Sequence, residues 1–242
     1  MKKLIVAALF VALAVPAFAA DVYVKTKTHT DAMAVMGQSV PAKDDVSETW
    51  ISATKMATVG SSGGFIVDLD KNVAYMVNHA GKTYVETPLP VDFTKLLPPE
   101  AAQMAPMMQM SATVAATGET KKIGQWDCTG YDATLTVMGM KMNLRIWAST
   151  QVPFDLSVFT AKMLPAVIKG QMRLDTKSLA EFAKIKGYQI ATETTGDMMG
   201  AKIHTTTEVV EMVQKPAPAG TYEPPAGYTK RATLSMQDLQ RR

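Results

Sequence analysis

Four methionines fall within seven residues at "MAPMMQM", Met104 to Met110, and two further groups follow: Met138, Met140 and Met142, then Met198 with Met199. Thioether sulfur is a soft ligand suited to Cu(I), and M-x-M or M-x-x-M spacings can bring several sulfurs onto one ion. The same spacings have a second reading. Met138, Met140 and Met142 alternate as one face of a strand requires, and Met104, Met107 and Met108 share one side of a helix. Copper needs no such period, whereas the wall of a core or cavity does, and flexible thioethers fill irregular apolar space. The methionines are therefore read first as cavity lining, with Cu(I) binding as the alternative.

No other group of residues makes a stronger case for chemistry. "GSSGG", from Gly60 to Gly64, matches G-x-S-x-G, but a nucleophile elbow needs a helix after the serine and "FIVDLD" reads as a strand. The glycines fit a hairpin loop better. His29, His79 and His204 lie on three predicted strands without zinc-ligand spacing. Asp127 with Asp132 and Glu208 with Glu211 are acidic pairs of a kind that sheet surfaces carry in abundance. Cys128 is the single cysteine, so no internal disulfide forms, and it reads as a small buried side chain. The expectation is a non-enzymatic protein with no cofactor.

The chain starts "MKKLIVAALFVALAVPAFAAD": two lysines, an apolar run, a proline and an A-x-A site. That is the pattern of a secretory leader over residues 1–19, followed by one domain over 20–230 and a polar tail over 231–242. The apolar run is shorter than the 18 or so residues a membrane span needs, so no transmembrane span is expected once the leader is removed. Losing Lys2 and Lys3 lowers the basic residues from 25 to 23 against 22 acidic ones. So even a balance argues against nucleic acid or an anionic membrane as partner, because both select clustered Lys and Arg. The expected location is periplasmic or secreted.

The elements that must position these residues are mostly strands. "VYVKTKTHT" alternates with a period of two, and a meander of short strands runs on to Thr87, turned at Asp70-Lys71-Asn72 and Ala80-Gly81-Lys82. From Asp92 to Met110 the period becomes helical, with Phe93, Leu96, Leu97, Ala101, Met104, Met107 and Met108 in one stripe broken by Pro98, Pro99 and Pro106. Two long strands follow, joined near Gly139. Asp155 then N-caps an amphipathic helix carrying Leu156, Phe159, Met163, Leu164, Val167 and Ile168, bent at Pro165. A second helix ends at Gly187, two more strands follow, and a Pro-rich tail closes the chain. This order predicts an α+β fold: one curved antiparallel sheet, a half-barrel, with helices covering its concave face.

The runs "MVNHAGKTYVETPLPVDFTKLLPPE", "ATGETKKIGQWDCTGYDATLTVMGMKMNLRIWAS" and "PAGTYEPPAGYTK" resemble the exported bacterial proteins grouped as domain of unknown function 4412. The likeness spans about Val22 to Lys230. Its motifs are Gly124, Cys128 and Tyr131, with Pro225-Ala226-Gly227-Tyr228 near the end. It implies an envelope location and brings no catalytic residues. The layout is more distantly similar to periplasmic lipoprotein carriers of the LolA and LolB type, whose half-barrel and helical lid hold acyl chains; no individual motif of theirs is matched. The expected ligand is thus a lipid, a lipoprotein acyl chain or another apolar molecule. It would be held by Leu96, Leu97, Met104, Met107 and Met108 from the lid and by Met138, Met140, Met142 and Trp147 from the sheet. A structural envelope protein without ligand is the third reading.

Overall fold

The computed structural model describes residues 21–35, 38–103, 110–137, 139–169, 174, 176–198 and 200–240. Alternating β-branched residues make the first strand, β1 (Val22–Thr30), which leads through the small hairpin β2 (Met33–Val35) and β3 (Gln38–Val40). The predicted meander then follows as β4 (Lys43–Ile51), β5 (Lys55–Val59), β6 (Gly63–Asp68), β7 (Val73–Asn78) and β8 (Thr83–Pro88). Its turns are where the residues demand them: Asn72 and Lys82 take the left-handed backbone, with φ of 56° and 48°. Three long strands come next, β9 (Met110–Ile123), β10 (Trp126–Val137) and β11 (Met140–Ser149), and a second hairpin, β12 (Tyr188–Met198) with β13 (Ala201–Gln214), completes the main run.

Twelve strands share one sheet in the order β14-β8-β7-β6-β5-β4-β1-β13-β12-β11-β10-β9, where β14 is Thr229–Arg231. Every pair in it is antiparallel except β14 with β8. β1 sits near the middle and joins two hairpin arrays: Val22 faces Ile51 of β4 on one side and Gln214 of β13 on the other.

The predicted α+β half-barrel with a helical cover is corrected by this arrangement. The described residues are mostly sheet, 55% strand against 15% helix, and the sheet is mixed and not closed. Proline is one reason, because it donates no backbone hydrogen bond and cannot extend a helix. In the described part of the segment where a lid was expected, Pro98 and Pro99 separate a 3₁₀ turn (Phe93–Leu96) from the single turn α1 (Pro99–Ala102), and residues 104–109 lie outside the described residues. Further on, α2 (Leu156–Val158) runs through a π-turn (Phe159–Met163) into α3 (Leu164–Val167). Pro165 lies just past that widened turn, which relieves the clash its ring makes with the preceding turn. α4 (Thr176–Phe182) and α5 (Met236–Gln240) are short as well. Gly118, at φ 76°, lies within β9, which continues through it.

Three clusters hold the sheet. On one face Val22, Val24, Phe65, Val67 and Met76 pack against Phe159 and Met163. Further along, Tyr131, Leu135 and Ile146 pack against Phe182 and Ile185. On the reverse face Ala57, Ile66, Tyr75 and Val77 are covered by Tyr222 and Tyr228 of the Pro-rich tail. That tail is a strap. It leaves β13 with the Lys215 and Ala217 amides donating to Asp21, crosses the reverse face, and pairs with β8 as β14. It then rounds the edge, so that Leu234 joins the first cluster and its amide donates to the Leu96 carbonyl.

The far edge, β9, is capped by α4 side chains. Ser178 Oγ accepts from the Ala112 amide at 2.7 Å, Glu181 accepts from the Val114 amide at 2.8 Å, and Lys184 donates to the Val114 carbonyl. These bonds occupy groups that would otherwise template another strand.

Candidate functional site

Of the nine residues expected to form a site, the five that are described are not gathered in one place. Leu96, 3% exposed, belongs to the first cluster, and Leu97 beside it is buried. Met140 and Met142 lie on β11, where Met142 faces the second cluster alongside Leu135 and Ile146. Trp147 is half-buried and packs against the first cluster, with Lys121 Nζ and the Arg145 guanidinium 5.6 and 6.0 Å from its ring centre. Met104, Met107, Met108 and Met138 lie outside the described residues.

An apolar cavity lies between the helical run and the floor of β1, β12 and β13. It holds about 280 Å³. Phe159, Leu164, Val167 and Ile168 form one wall, Phe182 at the end of α4 and Ile185 after it close a second, and Ile190 and Val209 rise from the floor. The amphipathic period of residues 156–168 had marked the helical wall, but as ordinary packing. The floor comes from strands far away in sequence and had no local signal.

Two features fix the shape of this cleft. Phe154, Phe159 and Tyr188 form a ring trio with centroids 5.4 to 5.5 Å apart, mostly edge to face. Gly187 holds φ 113° where the chain enters β12, and a Cβ there would sit 2.4 Å from the Ser149 carbonyl oxygen. Burial pushes the Tyr188 phenol up to about 12, so it stays neutral.

The reverse face carries a row of charge. His29 Nδ1 lies 2.7 Å from Asp44 and its Nε2 3.2 Å from Asp31; His204 Nδ1 lies 2.8 Å from Asp31 and its Nε2 3.0 Å from Glu193. Neutral imidazole offers one donor and one acceptor, so two carboxylates per ring call for imidazolium. The Asp44 hydrogen bond is the main cause raising the His29 pKa above 6.5, and Asp31, then Glu193, raise that of His204. The Asp31 pKa is lowered, chiefly by His204.

The signs differ between these groups. The histidine stabilisation is complete below about 6.5 and is lost as pH rises through the higher folded values; that of Asp31 is present above its ordinary value and is lost as pH falls through the lower folded one. All three groups are exposed, so solvent keeps the effect small. Asp31→Asn is expected to lower both histidine midpoints, read by NMR titration of the ring protons. A midpoint that stays put in either ring would contradict the row.

Other chemistry-bearing residues have structural surroundings. "GSSGG" forms the β5–β6 hairpin, with the Gly60 amide donating to the Gly63 carbonyl at 2.8 Å. Cys128 is buried, and burial is the largest cause pushing its thiol pKa up. His79 meets the Tyr228 hydroxyl of the strap at 3.0 Å. Among the described residues no three His, Cys, Asp or Glu side chains gather as metal ligands, and no helix is long and apolar enough to cross a membrane.

No curated protein matches the chain in sequence. Among solved structures it is similar to one titled "Structure of PNGF-II in C2 space group", at 9% identity and a TM-score of 0.41. That match covers 90% of this chain and 32% of the other, so the chain spans about a third of its length. A likeness that distant carries no argument about function, and none to LolA or LolB carriers is established. The matched family region starts inside β4 and so omits β1, the strand that joins the two halves of the sheet; the folded unit is longer than the family segment. The chain belongs to the family described as "Domain of unknown function (DUF4412)", whose model matches residues 46–228.

Proposed function

We propose that this chain is a non-enzymatic, exported protein that binds a lipid, a lipoprotein acyl chain or another apolar ligand in the cleft between the helical run and β12–β13. The observation that carries the reading is the cleft itself, about 280 Å³ with walls of Phe, Leu, Val and Ile. Small-molecule pockets hold roughly 300–1,000 Å³, so this one suits a single slender chain. Burying an alkyl chain yields about 0.8 kcal/mol per methylene, and ten methylenes give a gross gain near 8 kcal/mol without polar specificity. Export rests on the leader-like residues 1–19.

The test is binding of diphenylhexatriene, a hydrocarbon that fluoresces strongly only out of water. Val167→Trp and Leu164→Trp place an indole in the cleft from half-buried wall positions and are expected to weaken binding at least about tenfold, since they remove the volume on which the gain depends. Met140→Leu and Met142→Leu should leave it within about twofold. Binding that follows the methionines and ignores the tryptophans would refute the cleft as the site.

A further inference from the structure

Resting on the reading just given, we infer that the cleft selects uncharged amphiphiles, an alkyl chain ending in a hydroxyl or ester oxygen, over fatty-acid anions and alkylammonium cations. The floor and the walls differ in chemistry. The walls are hydrocarbon, whereas Thr26 and Thr192 of the floor and Tyr188 at one end present hydroxyls. None of those three hydroxyls has a hydrogen-bond partner among the described residues. Thr207, also on the floor, is already engaged with Thr28 at 3.2 Å.

Among the described residues no Lys, Arg, His, Asp or Glu lines the cleft. An ionised headgroup drawn inside would therefore lose its water and meet no counter-charge, which costs several kcal/mol. A hydroxyl or ester oxygen meets what it needs, because Tyr188 and both threonines can donate, and the threonines also accept. The Tyr188 phenol remains a donor across the physiological range, its ring held by Phe154 and Phe159. Each such bond contributes modestly, so neutral polarity orients the ligand while the hydrocarbon walls supply most of the affinity.

The experiment is displacement of diphenylhexatriene from the full chain at pH 8 by dodecan-1-ol, dodecanoate and dodecyltrimethylammonium, all below their micellar concentrations. Dodecan-1-ol is expected to displace the dye at least about tenfold more effectively than either ion. At pH 4, where the acid is largely protonated, dodecanoic acid should approach the alcohol. Tyr188→Phe keeps the ring trio and should weaken dodecan-1-ol roughly fivefold more than it weakens the dye itself.

If the dye binds and dodecanoate at pH 8 matches the alcohol, selection for neutral ligands is wrong while the apolar site stands. If the dye does not bind the unmodified chain, the apolar site itself is wrong. Dodecan-1-ol affinity unmoved by both Tyr188→Phe and Thr192→Val would overturn the role given to the hydroxyls.

Discussion

A chain that stops after Lys215 is expected to lose roughly 5 kcal/mol of stability and to bind hydrophobic dyes non-specifically over the reverse face of its sheet. The truncation removes Tyr222 and Tyr228, which cover Ile66, Tyr75 and Val77, and Leu234, which fills the first cluster from the other side. Burying a large apolar side chain is worth about 1.5–3 kcal/mol, and both tyrosines are only half-buried, so the three together reach about that sum. β14 goes as well, leaving the β8 edge bare. Natural domains have about 5–15 kcal/mol in total, so the shortened chain sits near its unfolding limit. Urea denaturation followed by circular dichroism measures the loss. Leu234→Ala in the full chain separates the two faces, with an expected loss of about 2–4 kcal/mol. A truncated chain with an unchanged midpoint would mean the strap is not structural.

Gly187→Ala should be the most damaging single methyl group near the cleft, at about 3 kcal/mol. Backbone held in a region that L residues avoid costs of order 1–3 kcal/mol, and here the added Cβ also meets the Ser149 carbonyl carbon at 2.6 Å and its oxygen at 2.4 Å. Backbone on both sides of that contact belongs to paired strands, so neither side can yield cheaply. Gly139→Ala and Gly200→Ala are the controls. Both have positive φ, 79° and 84°, but nothing lies within 4 Å of the new Cβ, so each should cost only about 1–2 kcal/mol. Any shift at Gly187 moves Tyr188, so the variant should also bind diphenylhexatriene less well than either control. Equal midpoints for all three variants would show that the close approach is not what matters.

Much of the local structure could be read from residue order because it depends on near neighbours. The meander from Lys43 to Pro88 and its turns at Asn72 and Lys82 follow from alternation and from residues that tolerate the left-handed region. The β12–β13 hairpin likewise has its Asp197 side chain accepting from the Gly200 amide at 2.8 Å. Two errors were also local. The apolar stripe from Asp92 outweighed Pro98 and Pro99, which interrupt it between a 3₁₀ turn and a separate short helix that starts at Pro99. Trp147 was grouped with Met142, although an odd spacing separates them on β11 and they pack against different clusters.

The remainder depends on pairs far apart in sequence. Nothing near Val22 announces Gln214 as its partner, and nothing near Phe159 announces Ile190 and Val209 across the cleft. The His29 and His204 row has the same origin, since its carboxylates come from β4, from the residue just after β1, and from β12. The methionines drew attention through frequency, yet Met142 serves the second cluster as plain filler.

The place of β1 between β4 and β13 sets the order in which the molecule can be finished. Synthesis delivers this keystone long before its second flank, so an emerging chain carries one half-satisfied ribbon until residue 214 is free. Assembly governed by such distant partners is slow and leaves sticky intermediates exposed. A helper that shields the first thirty residues of the folded unit would therefore shape the yield of native protein more than any change within the later hairpins.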